Sequence, residues 1–78
     1  MRFRYVLLES RLERRTCYGI AAVTVNDGVE VILQSFVDLS LDHGAVEELV
    51  RLCNELELSL CHLPDVVEDF CIGGIDDE

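Results

Sequence analysis

From Phe3 to Leu8 the chain sets Phe3, Tyr5 and Leu7 on one side and Arg4, Val6 and Leu8 on the other. A period of two belongs to a strand, and the alternation predicts one over Arg2 to Glu9. The polar run from Ser10 to Arg15 then reads as a bend. Thr16 to Val25, rich in β-branched and small residues, reads as a second, longer strand in which Gly19 allows close backbone approach. Asn26-Asp27-Gly28 marks a hairpin, the first two residues suiting a type I turn and Gly28 the positive φ that closes it. A third strand, Glu30 to Val37, places Val31, Leu33 and Val37 on one side and Ile32 and Phe36 on the other. A strand apolar on both faces is expected to be covered on both.

After Asp38-Leu39-Ser40 the period lengthens. Val46, Leu49, Val50, Cys53 and Leu56 recur at three- and four-residue spacing, which predicts a helix from about Asp42 to Glu57. Ser40 or Asp42 is suited to accept hydrogen bonds from its first N–H groups. Glu47, Glu48, Glu55 and Glu57 fall mainly on its solvent side, and the last two oppose the helix dipole, so this end is expected to fray. An apolar link, Leu58 to Leu63, precedes Pro64-Asp65, a helix start signal, so a short second helix is expected to about Cys71 and to stop at Gly73-Gly74.

The order β-β-β-α-α implies an α+β fold, a three-stranded antiparallel meander with two helices packed on it. A chain of 78 residues supports one core, so residues 1–72 are expected to form a single domain and 73–78 a flexible acidic tail. Two unequal helices cover one sheet face well and the other partly. The leftover apolar surface makes a homodimer the expected solution.

Charge changes this picture in one respect. The formal net charge is −10, and it is unevenly spread. Residues 1–15 hold five Arg against two Glu, 5 − 2 = +3, and the remainder holds Arg51 against fourteen acids, 1 − 14 = −13. So acidic a chain is a poor ligand for nucleic acid phosphates or anionic membranes. The apolar run Tyr5 to Leu8 is too short for a signal-peptide core, and no stretch approaches the ~20 apolar residues of a membrane span. A cytoplasmic setting is expected, with Cys17, Cys53, Cys61 and Cys71 as reduced thiols.

Candidate chemistry is sparse. Cys61 and His62, with Cys53 and Cys71, are the residue types zinc prefers, but only Cys61 and His62 are close in sequence, and neighbours in an extended link point apart. Cys53 falls on the apolar stripe of the first helix, where a thiol acts as a small hydrophobe. A Cys–His nucleophile pair using His62 or His43 lacks a Gly-rich oxyanion element. Asp65, Glu68 and Asp69 share a helix face as solvated acids do, and no phosphate loop or dinucleotide fingerprint occurs, so no cofactor is expected.

Tyr18-Gly19-Ile20, Asp38-Leu39-Ser40, Val46-Glu47-Glu48-Leu49-Val50 with Cys53-Asn54, and His62-Leu63 followed by Asp65 to Phe70 resemble a family of small uncharacterised Firmicutes proteins, a domain of unknown function. The resemblance covers about residues 18–70 and implies a bacterial cytoplasmic setting without any activity. Among these residues Asn54 is the one without a structural explanation, being a weak helix former in mid-helix. A polar anchor or interaction site of Asn54 with His62, near Asp65, Glu68 and Asp69, is the expected location of function. The reading favoured is a non-enzymatic protein-interaction or regulatory module. The alternatives are a metal- or small-ligand-binding domain using Cys61 and His62, and an acidic nucleic-acid mimic that inhibits a basic protein.

Overall fold

The ladder hydrogen bonds of a sheet come from the backbone, so polar side chains do not end a strand if they face water. In the computed structural model, which describes residues 3–73 and only the backbone of Leu12, Ile72 and Gly73, the first strand accordingly continues through the polar run. Strands β1 (Arg4–Leu12), β2 (Arg15–Asn26) and β3 (Val29–Ser40) form an antiparallel sheet in the order β1-β2-β3. They are followed by helix α1 (His43–Glu55), a 3₁₀ turn over Leu60–His62, and helix α2 (Leu63–Gly73). The fold is the α+β meander with two helices expected from the sequence. Helix α2 runs one residue into the expected tail, and residues 74–78 lie outside the described residues.

The expected bend at Ser10 to Arg15 is corrected to a two-residue link. Ser10, Arg11 and Leu12 pair with Cys17, Thr16 and Arg15, leaving Glu13-Arg14, with Glu13 at φ 56°. The second hairpin differs from expectation too. Asn26 pairs with Val29, and Asp27 (φ 56°) and Gly28 (φ 78°) are both left-handed, as a type I′ turn requires.

Two bulges in β3 overturn the expected face assignment of the third strand. Ala22 pairs with Gln34 but Val23 pairs with Ile32, so Leu33 is an extra residue. Cross-strand partners share a face. Ile32, opposite Val23, therefore lies on the other side of the sheet from Phe36, which stands opposite Ile20. The larger bulge lies between the Ile20–Phe36 and Tyr18–Ser40 pairs, where Val37, Asp38 (φ 57°) and Leu39 stand against Gly19 alone. There the β3 backbone passes so close that a Cβ on Gly19 would sit 2.1 Å from the carbonyl oxygen of Phe36. This is the close approach the glycine predicted.

The core lies on the sheet face of Tyr5, Ile20 and Ala22, against Leu49 and Cys53 of α1 and Leu63 and Val67 of α2. On the opposite face Ala21 and Val23 are also buried. Side chains of the two outer strands meet over β2: Ser10 Oγ donates to Asp38 Oδ1 at 3.0 Å, and Arg4 pairs with Glu30 at 3.1 Å.

Helix α1 begins on Asp42, whose Oδ1 accepts from the Ala45 N–H at 3.2 Å, while Ser40 Oγ accepts from the Asp42 N–H. Its C-terminal end, expected to fray, is closed by two backbone hydrogen bonds. The Leu58 N–H donates to the Cys53 carbonyl at 3.0 Å and the Glu57 N–H to the Asn54 carbonyl at 3.1 Å, with Glu57 at φ 51°. This is a Schellman closure in which glutamate occupies the left-handed position that glycine usually takes. Arg51, between Glu48 and Glu55, bonds to both and holds the Glu48 carboxyl below its ordinary range.

Candidate functional site

Every strand of an open sheet that lies at its edge presents unpaired N–H and C=O groups. On β1 these groups are taken up at one position by a side chain. Asn54, in the last turn of α1, accepts from the Tyr5 N–H at 2.8 Å through Oδ1 and donates to the Tyr5 carbonyl through Nδ2 at 2.9 Å. A carboxamide carries one acceptor and one donor side by side, as a peptide group does, so Asn54 stands in for the residue of a neighbouring strand. The Tyr5 ring passes into the core, and its hydroxyl donates to the Leu58 carbonyl at 2.7 Å. Phe3 packs edge-on against it, with centroids 5.5 Å apart. Burial raises the Tyr5 pKa above the ordinary value, and the nearby thiols of Cys53 and Cys61 add to the rise.

The polar anchor on Asn54 thus engages Tyr5. No hydrogen bond joins Asn54 to His62 among the described residues. His62 is exposed at the end of the 3₁₀ turn, its N–H donating to the Ser59 carbonyl at 2.9 Å. Asp65, Glu68 and Asp69 are exposed along α2. Tyr5 had no place in the expected site. Its signal was that a buried tyrosine must find a partner for its hydroxyl.

The four cysteines are free and dispersed. Cys53 is buried in the core, where desolvation raises its thiol pKa; Cys17 is half-buried; Cys61 and Cys71 are exposed. Among the described residues no three His, Cys, Asp or Glu side chains are grouped as a metal ion would need. His43 packs edge-on against Tyr18 at 4.9 Å and lies 3.6 Å from Glu47.

The other outer strand is different. Among the described residues, no backbone hydrogen bond leads from the outer edge of β3 to another element. The end of the β2–β3 hairpin exposes apolar side chains on both faces, with Val25 and Ile32 on the side away from the core and Val29 and Val31 on the core side. None of the four belongs to the core cluster. At the base of this hairpin end lies an open hollow of about 380 Å³ lined by Phe3, Arg4, Val23, Thr24 and Val25. Arg4, in its lining, is engaged by Glu30. Among the described residues its lining includes no carboxylate, imidazole or thiol for acid–base or nucleophilic chemistry.

No helix of the described residues is long and apolar enough to cross a membrane. Comparison with curated proteins and with solved structures found no match. A family model does match, over residues 1–73, so the resemblance read over about 18–70 extends through the N-terminal strand, Tyr5 included. The chain belongs to this family, a family of unknown function (DUF6514).

Proposed function

We propose that this chain is a non-enzymatic protein-interaction or regulatory module, and that the end of the β2–β3 hairpin is its contact surface. The observation that carries the reading is the exposure of Val25 (61%), Val29 (62%), Val31 (38%) and Ile32 (59%) on a two-stranded projection with both faces apolar. Core-building side chains left in water are costly unless a partner covers them, and such patches on small proteins mark interaction sites. Among the described residues, Cys61 and His62 belong to no grouping of three or more His, Cys, Asp or Glu that could hold a metal ion. On the resemblance to small Firmicutes proteins, the setting is a bacterial cytoplasm.

Affinity capture from the native cell lysate tests the reading, run in parallel with the parent chain and a Val29→Ser/Val31→Ser variant. The parent is expected to retain protein that the variant loses. Equal retention by both would remove the hairpin end as the contact surface.

A further inference from the structure

We infer that the partner of the β3 edge is a second copy of this chain, joined antiparallel through Glu30 to Ile32 into a continuous six-stranded sheet; this inference rests on the interaction reading and gives it an occupant. Three observations converge on it.

The first is the asymmetry of the sheet's two margins. Asn54 occupies the edge of β1 at Tyr5, whereas between Val29 and Ile32 the edge of β3 has no lysine, no proline and no bulge, and its one charged side chain, Glu30, is held by Arg4.

The second is hydrogen-bond phase. A type I′ turn closes with the Asn26 carbonyl accepting from the Val29 N–H, so Val29 directs its backbone toward β2. Alternation then turns Val31 inward as well, and Glu30 and Ile32 outward. Two outward residues flanking an inward one are what a two-fold axis at Val31 uses. Glu30 of each chain exchanges both backbone bonds with Ile32 of the other, and Val31 meets its own copy.

The third is charge. A two-fold axis normal to the sheet keeps each face with its like, so the register must centre on a residue. Centring on Glu30 would set two carboxylates opposite each other, which is unfavourable. Centring on Ile32 would run into the bulge at Leu33. Centring on Val31 places Glu30 opposite Ile32, with each carboxylate already held by Arg4 of its own chain. For a chain of net charge −10, this is also the stretch where two copies meet with least repulsion, since Glu30 is the one acid between Val29 and Val37.

Sedimentation equilibrium of the full chain at high micromolar concentration is expected to give twice the 8.8 kDa chain mass. Val31→Lys sets two ammonium groups against each other at the axis. Ile32→Pro removes an outward N–H without touching the ladder to β2. Each is expected to weaken the dimer by at least about tenfold, with an unchanged circular dichroism spectrum. Leu56→Lys, at a site 73% exposed on the end of α1, is expected to leave the dimer intact. If Ile32→Pro unfolds the chain, Val31→Lys alone decides. A monomeric parent, a dimer that Val31→Lys leaves intact, or growth beyond two copies each overturns the inference. A monomeric parent whose hairpin end still captures another protein removes the second copy and leaves the interaction reading standing. Loss of the interaction reading requires that the hairpin-end variants change no binding at all.

Discussion

The two margins of one sheet are finished in opposite ways. On β1 the Tyr5 N–H and C=O are bonded to Asn54, the ring is buried and the hydroxyl is bonded to Leu58. On β3 the four residues from Val29 to Ile32 are exposed, and among the described residues no backbone hydrogen bond joins their outer edge to another element. Helix α1 is the cause of both. Its last turn reaches β1, and none of Val29, Val31 or Ile32 joins the core that it builds. An edge is sealed only where an element packs beside it. Helix α1 reaches one margin of the sheet and takes up its outer backbone groups at Tyr5.

The largest expected effect lies where β3 stops being open. Gly19→Ala drives a Cβ into the Phe36 carbonyl at the bulge, and overpacking against backbone is expected to cost about 3 kcal/mol. Urea unfolding reads it, and a loss under about 1 kcal/mol would show that the bulge yields. Next is the seal. Asn54→Ala leaves two Tyr5 backbone groups unpaired and is expected to cost about 2 kcal/mol, with faster hydrogen exchange at the Tyr5 amide. Tyr5→Phe, which loses only the bond to Leu58, is expected to cost about 1 kcal/mol.

The sealed side also carries a pH dependence. Burial raises the pKa of Cys53 above 9.0 and that of Tyr5 above 10.0. As pH rises through 9.0 the unfolded thiol loses its proton before the folded one, so the unfolded state binds fewer protons and stability falls. Tyr5 extends the loss from 10.0 upward. The urea midpoint is expected to decline above pH 9.0, and Cys53→Ala to flatten the first part of the decline. A profile that rises there would contradict the burial of both groups. The smallest effect belongs to the open side: Val31→Lys, at a dilution that keeps the chain monomeric, is expected to stay within about 0.5 kcal/mol of the parent.

How much of this was legible in the sequence follows from where each signal resides. Helix α1 was readable because Val46, Leu49 and Cys53 repeat with the helix and are the residues it buries. Asn26-Asp27-Gly28 was readable as a turn, though not as type I′, since that depends on Asp27 taking a left-handed conformation. Glu13-Arg14 carried no glycine or asparagine to announce a tight link. The bulges in β3 are set by pairing with β2 and leave no mark in an apolar run, so Ile32 and Phe36 were placed on one face and lie on two. Asn54 stood out as a poor helix former, but its partner is a backbone peptide 49 residues away, and backbone groups have no letter in a sequence.

That separation bears on the order of assembly. The β2–β3 hairpin closes over a two-residue turn and needs only local encounters, whereas the Tyr5–Asn54 link must wait until α1 exists and has swung back to the first strand. During synthesis, β1 therefore leaves the ribosome with a bare margin and keeps it until residue 54 follows. Chains stopped before Asn54 are expected to be more prone to strand-to-strand clumping than chains stopped after Leu58. The asparagine in the last turn of the first helix thus also sets the moment at which the outer backbone groups of Tyr5 cease to be available to another chain.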